Sequence, residues 1–494
     1  MATKHTGLAR QMGLWGLAAT GICSMLGASI YVVPFMIHRS VSGIGAYVLP
    51  AFLFAAVPAV LAAFAYAILS SAMPRAGGSY LYASRGLSPY LGFVASFSQW
   101  FGLSIAIGVI AYVIIPFFRD IANHMNYHSL GLWLDAGAPR VTLSLALLWT
   151  FVFINIRGIK IYERTLLPLM TLMFGLGAIV IVAGSIYDQT DFIQALATRG
   201  EPTEGLEKSA PFTLSTFLAA AALLFSSFIG FDSIAQAGGE ARSPSRSLPL
   251  AIGISVLTVG LFYFLFTAAV YHTVPWQFVA LQAQSQDITA AGLLGYLLPH
   301  GWAIAIMVGA AIALLNDLPA MILAVSRLMF AWAEDGIFPK SVSYTHPRWH
   351  TPAVAILLSG VMASIGILGS HFAGDFFLGI DIMVTAMLVN FLLMCLTVIF
   401  LPHRNPPLGR QVKVITSRKA QLALAVSGSF FLLIFLGIHL VRDLTSNVTS
   451  WYFHSTLVWL LVMGLASLIY FRELQKLKAA GNDTKKTFST LPPE

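Results

Sequence analysis

The hydrophobic residues of this chain are gathered into long runs that short polar segments separate. An α-helix rises about 1.5 Å per residue, so roughly 20 apolar residues cross the hydrocarbon layer of a membrane. Twelve runs approach or exceed that length, and we predict one spanning helix from each. They lie near residues 14–37, 43–70, 90–118, 141–157, 165–186, 213–237, 248–272, 301–330, 353–369, 376–401, 420–441 and 451–471.

The first run differs from a secretory signal sequence in length and composition. A signal sequence has an apolar core of about 7 to 15 residues. The run at 14–37 is longer and carries Gly21, Gly27 and Pro34 within it. We therefore expect a retained first spanning helix and not a cleaved leader.

Composition supports residence in a membrane. Of the 494 residues, 57% are hydrophobic and only 10% are charged, whereas an ordinary soluble domain has about 25% charged residues. So few charged side chains do not cover the surface of a soluble protein of this length. The composition excludes a soluble enzyme, a nucleic-acid-binding protein and a disordered scaffold, and it leaves a multi-pass membrane protein.

The basic residues indicate the orientation of the chain in the membrane. Cytoplasmic segments of membrane proteins are enriched in Lys and Arg. With both termini inside, 22 of the 28 Lys and Arg residues fall on cytoplasmic segments. We therefore predict a multi-pass protein of the cell membrane with cytoplasmic termini, and we attribute the net charge of +8 to topology. The bases on the outer side are Arg39, Arg119, Arg140, Arg199, Lys208 and Arg442.

The segments between the predicted helices are too short for a soluble domain, so the function is expected to reside in the helix bundle. The longest are near 187–212 and 273–300, and a polar tail follows residue 471. Its lysines could contact anionic membrane lipid, although such residues usually only keep a terminus on the cytoplasmic side. No nucleic acid partner and no obligate protein partner is implied.

Small and polar residues interrupt two of the apolar runs at mid-depth. The first run contains 21–31, GICSMLGASIY, and the sixth contains 225–232, FSSFIGFD. Unwound backbone in a membrane is tolerated only where it lines a protein cavity. Free N–H groups at a half-helix end attract a carboxylate, and free carbonyls attract an ammonium group or a metal cation. Two such breaks predict a receptor for a zwitterion.

The positions of the breaks agree with an internal symmetry. Breaks in the first and sixth helices are the pattern expected of two inverted repeats of five helices. The alternative is that Gly and Ser here only allow close helix packing, which is common in membranes. The two segments alone leave both interpretations open.

Four motifs elsewhere resemble the amino acid-polyamine-organocation (APC) transporter superfamily. Each alone is weak, but the set occurs in family order on the side that the topology predicts. The motifs are 74–82 (PRAGGSYLY) with 89–93 (PYLGF); 155–160 (NIRGIK); 229–232 (IGFD) with 240–249 (EARSPSRSLP); and 326–327 (SR) with 334–339 (EDGIFP), 346–348 (HPR) and 351–352 (TP).

The resemblance implies an all-α polytopic membrane protein with the LeuT-type fold. In this fold twelve transmembrane helices include a 5+5 inverted repeat, and helices 1 and 6 are broken. The chain would then divide into a cytoplasmic N-terminus, a transport core containing both repeats, two peripheral helices and a cytoplasmic tail. The corresponding ranges are 1–13, 14–401 with repeats at about 14–186 and 213–401, 402–471, and 472–494.

The resemblance also implies which residues bind an amino acid substrate. In helix 1, the triplet Gly27, Ala28 and Ser29 matches the family segment that receives the substrate carboxylate. The carbonyls of Ser24 and Met25 would accept hydrogen bonds from the substrate ammonium group.

Helix 6 supplies the opposing break at Ser226, Phe228, Ile229 and Gly230. Some antiporters of the family have tryptophan where this chain has Ser226, so Phe228 or Phe231 would have to form the aromatic gate. In helix 3, Gln99, Trp100 and Ser104 could also line the site, although a tryptophan at helical spacing more often packs in the core.

Three acidic residues fall within the apolar runs, namely Asp232, Asp317 and Asp381. A buried carboxylate is costly unless it is protonated, paired or bound to a cation, so each is a candidate functional residue. Asp232 matches an acidic position of relatives and could couple transport to protons, or it could instead cap hydrogen bonds around the helix 6 break.

Asp317 is the main candidate for ion coupling. Its position matches the place on helix 8 where sodium-coupled relatives bind Na⁺ against helix 1 carbonyls, here those of Cys23 and Leu26. Some proton-coupled relatives place a lysine of helix 5 there, but the aligned residue is Met173. An acid without that ammonium partner needs Na⁺ or H⁺. The alternative is a structural role beside Asn316 and Pro319.

Two positions bear on substrate choice, and they favour different kinds of substrate. Asp381 lies near the region that reads the substrate side chain in relatives, and it would favour a cationic group. Gly102 stands where transporters of cationic amino acids tend to have glutamate, which favours a neutral substrate.

These observations lead to one functional hypothesis with alternatives. We expect a secondary active transporter that moves amino acids, neutral ones by preference, by alternating access with H⁺ or Na⁺ coupling. It would have no cofactor and would not be an enzyme, because the spans show no catalytic pair or metal cluster at recognisable spacing. The alternatives are transport or exchange of cationic amino acids or polyamines, and an amino acid sensor that does not transport.

Overall fold

The computed structural model describes residues 7–27, 29–201, 211–285, 288–373, 376–448, 450–481 and 483–492. Two residues singled out from the sequence, Ala28 and Lys208, lie outside these ranges. Within them the chain is helical and forms no strand, apart from an isolated parallel bridge between Met12 and Ala241.

Twelve helices are long and apolar enough to cross a membrane, which confirms the number predicted. They are α1 (Leu14–Ser40), α2 (Gly45–Ala72), α3 (Pro89–His124), α4 (Gly137–Ile156), α5 (Ile159–Ile186), α6 (Leu214–Gly239), α7 (Pro244–Thr273), α8 (His300–Glu334), α9 (Ala353–Phe372), α10 (Leu378–Arg404), α11 (Arg418–Thr445) and α12 (Ser455–Ala479).

Several helices run past the apolar segments that predicted them. The third run ended at residue 118, whereas α3 continues to His124 through Arg119 and Asp120. A charged residue does not end a helix once it has left the hydrocarbon layer, so hydropathy marks the membrane boundary and not the helix end.

Two of the spans are interrupted where the sequence predicted. In α1, one helical half covers Leu14–Met25 and a second covers Ser29–Ser40. In α6, the helix Leu214–Leu224 is followed by a 3₁₀ turn, Phe225–Phe228. The backbone is then extended at Ile229 and passes through Gly230 at a φ of +135°, before one more helical turn begins at residue 233.

Ion pairs and close contacts hold together the face of the bundle that carries both described chain ends, which we call the termini face. The guanidinium of Arg85, between α2 and α3, donates two hydrogen bonds to the Asp335 carboxylate after α8, at 2.5 and 2.8 Å. Arg327 of α8 pairs with Glu240 after α6, and both are fully buried. A side chain at Gly77 would overlap Ala331 of α8. Residues of three of the four motifs, Gly77, Glu240, Arg327 and Asp335, therefore take part in these contacts.

The last two helices pack on the outside of the other ten. Helix α11 lies against α10 and α2, and α12 lies against α10 and α3. Their division from a core at 14–401 remains a prediction.

Candidate functional site

The two interrupted helices meet at their breaks. A side chain at Gly230 would overlap the backbone of Ser24 and Met25, so glycine alone permits this approach. On the same side of α6, the hydroxyls of Ser24 and Ser233 share a hydrogen bond of 2.9 Å. The structure therefore brings the substrate-binding residues predicted in helix 1 against those predicted in helix 6.

A tyrosine of α7 bridges the two halves of α1. The Tyr263 hydroxyl donates to the Met25 carbonyl at 2.5 Å and shares a hydrogen bond of 3.0 Å with Ser29. A helix that ends at Met25 leaves its last carbonyls without intrahelical partners, and Tyr263 satisfies one of them. Tyr263 was not predicted from the sequence, because a tyrosine in an apolar run is equally suited to packing.

The candidate gate phenylalanines lie on different sides of α6. Phe228 packs against Phe52 at 5.2 Å between ring centroids and against Tyr263 at 5.8 Å, so it lies beside the break in α1. Phe231 stacks on Phe391 of α10 at 4.9 Å and meets Tyr66 of α2 edge-on. Of the two, Phe228 lies nearer the predicted carboxylate-binding segment.

The residues on either side of Phe228 in α6 differ in their hydrogen bonds. Ser226 donates its hydroxyl back to the Leu223 carbonyl at 2.8 Å, so it is engaged by its own helix. Ile229 is buried at the extended residue of the break. Ser227, which the sequence analysis did not select, is buried, and its hydroxyl has no hydrogen-bond partner within the described ranges. It is an additional candidate for contact with a polar substrate group.

Asp232 lies at the centre of a buried polar network. One carboxylate oxygen accepts from the Gly230 backbone N–H at 3.2 Å, and the other accepts from the Gln99 amide of α3. The Gln99 carbonyl oxygen in turn accepts from Ser79 at 2.5 Å and from Gln236 at 3.2 Å. These bonds tie the break in α6 to α3, and both the capping role and the proton-coupling role of Asp232 remain predictions.

Asp317 lies beside the break in α1. A side chain at Gly27 would overlap its carboxylate, and oxygen Oδ1 is buried without a hydrogen-bond partner in the part of the chain that the structure describes. Its neighbour Asn316 donates to the Cys23 sulfur at 2.9 Å, which places the last turn of the first half of α1 next to the acid. On α5, Met173 is buried. The predicted cation-coupling residues Asp317, Cys23 and Leu26 thus meet in one region.

Gly102 and Asp381 do not meet at the breaks. A side chain at Gly102 would contact Ala386 and Met383, so this glycine permits close packing of α3 on α10. Asp381 is half buried near the start of α10, and its carbonyl accepts from Thr385, which also bonds to His439 of α11 at 2.9 Å. Their effect on substrate choice remains a prediction.

The other two candidates in α3, Trp100 and Ser104, have different surroundings. Trp100 packs against Phe97 at 5.2 Å and Trp332 at 5.8 Å, which is the packing role that tryptophan more often has. Ser104 is buried, and its hydroxyl is without a partner among the residues described.

Comparison with known proteins assigns the family. A profile of the family described as amino acid permease matches residues 12–470. The chain belongs to the amino acid permease family. This permease therefore has the LeuT-type fold of the APC superfamily, with twelve spans and interrupted helices α1 and α6. The family consists of transporters, which confirms that the chain is not an enzyme.

Curated relatives of this permease carry different substrates in their names. It is 30% identical over 277 residues to the branched-chain amino acid permease BcaP of Bacillus subtilis (strain 168), covering 54% of this chain and 53% of that protein. It is 34% identical over 155 residues to the vacuolar cationic amino acid transporter 4 of Arabidopsis thaliana, covering 31% and 25%. It is 24% identical over 320 residues to the low-affinity putrescine importer PlaP of Escherichia coli (strain K12), covering 63% and 62%.

The matched region thus spans about half the length of the first of these relatives and a quarter of the second. The description of the family names amino acids as the class of substrate and does not specify a particular amino acid. No group of three or more His, Cys, Asp or Glu side chains suited to a metal ion occurs in the described ranges.

Proposed function

We propose that this permease is a secondary active transporter of neutral amino acids, which works by alternating access in the cell membrane with both termini cytoplasmic. The observation that carries the proposal is the meeting of the two helix breaks at Gly230, Ser24 and Met25. Free backbone groups of opposite polarity at such breaks suit the two charges of an amino acid.

The proposed substrate pose follows from the polarity of the half-helices. The second half of α1 begins at Ser29, and its free N–H groups would bind the substrate carboxylate. The carbonyls of Ser24 and Met25, at the end of the first half, would accept from the ammonium group. The Met25 oxygen already accepts from Tyr263, but a carbonyl has two lone pairs and can accept from both.

The contacts of Asp232 and the packing of Gly102 favour a substrate with a neutral side chain. The Asp232 carboxylate is engaged by Gly230 and Gln99. Gly102 lies against α10 with no room for a glutamate side chain. A cationic side chain would therefore find the α6 carboxylate already engaged and no room for an acid at position 102 of α3. A relative named for branched-chain amino acids agrees with this choice.

Transport or exchange of cationic amino acids or polyamines is the second candidate. Relatives named as cationic amino acid transporters and as a putrescine importer favour it. On this alternative, Asp381 would be the acid that selects the substrate. A third candidate is an amino acid sensor that uses the same pocket without transport.

Asp317 is proposed as the residue that couples transport to a cation. An acid buried beside a helix end, with one oxygen lacking a hydrogen bond in the described structure, gains from Na⁺ or from a proton. Na⁺ would take this carboxylate and the carbonyls of Cys23 and Leu26 as oxygen ligands. A proton would instead neutralise the acid and supply the missing hydrogen bond.

Ligand binding to the purified protein tests the substrate and the ion together. A ligand at 100 times its Kd stabilises the folded state by about 2.7 kcal/mol. We expect leucine-like amino acids to raise the thermal unfolding temperature more than arginine or putrescine, and Na⁺ or low pH to enlarge the shift. If arginine or putrescine alone gives a shift, the second candidate replaces the first.

Counterflow in proteoliposomes separates transport from sensing. Only a transporter exchanges labelled external substrate for unlabelled internal substrate. A protein that binds an amino acid in the thermal assay and shows no counterflow would be a sensor, and the proposal would be wrong.

A further inference from the structure

The last described segment of the chain, residues 483–492, is docked on the termini face. We call it the tail segment. After α12 ends at Ala479, Asp483 accepts from the Lys486 backbone N–H at 3.1 Å and caps the short helix Thr484–Thr487. The Phe488 ring that follows is only 6% exposed. A phenylalanine buried to this extent indicates that the segment has a defined site on the bundle.

Backbone carbonyls fix the tail segment to side chains from separate parts of the chain. Four carbonyls accept hydrogen bonds from three side chains, so the binding depends on the path of the backbone more than on exposed side chains. The bonds are Arg85 to Thr487 at 3.1 Å, Arg85 to Thr490 at 3.1 Å, Asn405 to Ser489 at 2.9 Å and Arg75 to Pro492 at 3.3 Å.

Arg85 lies at the centre of this arrangement. Besides the tail carbonyls, it binds the Asp335 carboxylate after α8. Its guanidinium also lies 5.7 Å from the centre of the Phe488 ring and 5.9 Å from that of Tyr80. One buried guanidinium therefore connects the α2–α3 segment, the α8–α9 segment and the tail.

The anchoring residues lie at or between helix ends on the termini face. Arg75 follows α2, Asn405 follows α10, and Arg85 and Asp335 join the ends of α3 and α8. On the same face, residues just beyond α2 and at the end of α6 touch, since a side chain at Gly238 would overlap the Arg75 backbone. A substrate that leaves the breaks towards this face requires some of these ends to separate.

We propose that the tail segment is a latch that stabilises the conformation closed at the termini face. Contacts present in only one of two conformations shift the equilibrium towards that conformation. Release of the tail segment therefore favours opening and makes the tail a point at which transport is regulated. This inference goes beyond the proposed transport function and concerns its conformational equilibrium.

A native cysteine provides the test of opening. Cys23 is fully buried in the first half of α1, three residues before the break ends that half at Leu26. Cys395 of α10 is buried against Gly428 of α11 and is an internal reference. The rate at which N-ethylmaleimide modifies each cysteine in the detergent-purified full-length protein, measured by mass spectrometry, reports opening without any substrate.

Phe488→Ala is the test variant, and Ser489→Ala is its control. Ser489 is exposed, and the control keeps the carbonyl that binds Asn405. We expect Phe488→Ala to raise the modification rate of Cys23 relative to Cys395 by roughly tenfold, because tenfold requires a shift of only about 1.4 kcal/mol. Ser489→Ala leaves the ratio unchanged.

A chain that ends at residue 481 supplies a second variant. It should show the same increase, and a synthetic peptide of residues 483–492 added to it should restore slow modification. If neither variant changes the Cys23 rate relative to the control, the latch is overturned. A changed rate without counterflow of any substrate would support the latch and contradict the transport function, so the two failures are distinguishable.

Discussion

At the scale of single residues, the buried carboxylates of Asp317 and Asp232 differ in their hydrogen-bond partners. It is buried beside Gly27, and within the described residues Oδ1 accepts no hydrogen bond. Asp232, equally buried, accepts from a backbone N–H and from Gln99. Because of this difference in partners, Asp317 and not Asp232 is the residue that tests the proposed coupling to a cation.

Asp317→Asn is expected to remove the dependence of transport on its coupling ion. An amide keeps the size of the side chain and removes both the negative charge and the titratable proton. Coupling free energies between two ligands are typically about 1–3 kcal/mol, or about 5- to 150-fold in affinity. In the parent protein, the coupling ion should change the substrate affinity measured by thermal shift by a factor in this range. In the Asp317→Asn variant, the ion should leave that affinity unchanged.

The control for this substitution is Asp188→Asn, which removes an exposed carboxylate outside the spans and keeps its capping geometry. It should retain the ion response. An Asp317→Asn protein with unchanged uptake and unchanged ion dependence would show that the acid has only a structural role.

The sequence predicted the breaks better than it predicted the contacts around them. Gly27 and Gly230 are recognisable because few other residue types occur where a membrane helix unwinds. Tyr263, which satisfies Met25, could not be selected, since its partner is 238 residues away along the chain. Gln99 was noticed only as a lining residue, because pairing with Asp232 depends on how α3 packs against α6.

At the scale of helices, the approach of α1 to α6 depends on one backbone conformation. Gly230 has a φ of +135°, and the space where a side chain would stand is filled by the backbone of Ser24. The breaks in α1 and α6 can therefore lie in contact only while position 230 has no side chain. The packing of α1 against α6 at the candidate site therefore depends on glycine at position 230.

Gly230→Ala is expected to destabilise the protein and abolish substrate binding. An alanine forced into a conformation with positive φ costs more than about 1 kcal/mol, and overlap with Ser24 adds to this. Thermal unfolding and ligand-induced stabilisation of the purified variant are the measurements.

Gly260→Ala is the matched control for Gly230→Ala. Gly260 lies within α7, and a side chain there would meet no atom within 4 Å. Since alanine is favoured over glycine inside a helix by roughly 0.5–1 kcal/mol, this variant should be as stable as the parent or slightly more stable. Equal behaviour of the two variants would contradict the close contact of the breaks.

Helix ends were less predictable than helix number. Twelve apolar runs gave twelve helices, because burial in lipid requires every backbone group of a span to be bonded internally. Outside the lipid this requirement ends, and local capping decides where a helix stops. Short helices such as Gly78–Gly86 and Trp276–Ser285 lie in these connections and were not predicted.

At the scale of the whole molecule, buried ion pairs join segments that are distant along the chain on the termini face. Arg327 of α8 and Glu240 after α6 are both fully buried. Removing one partner of a buried pair leaves an uncompensated charge, which typically costs about 3–5 kcal/mol. The pair therefore fixes the segment that follows α6 to α8.

Glu240→Gln should lower the thermal unfolding temperature strongly, because it leaves the Arg327 guanidinium buried without a carboxylate. The comparison variant is Glu473→Gln, which breaks an exposed pair with Lys476 on α12. Exposed pairs contribute about 0–1 kcal/mol, so this variant should unfold close to the parent temperature. Similar losses in both variants would mean that the buried pair does not fix the segment after α6 to α8.

The bridge between Met12 and Ala241 has a consequence for how the chain is made. The Met12 N–H donates to the Glu240 carbonyl at 2.9 Å, and the Arg242 N–H donates to the Met12 carbonyl at 3.1 Å. The native partners of the first residues before α1 are therefore synthesised more than two hundred residues later. During membrane insertion α1 enters the bilayer long before its binding partners on α6 and α7 exist. Biogenesis of this permease thus requires that α1 persist in the membrane without its native partners until α6 and α7 have been synthesised.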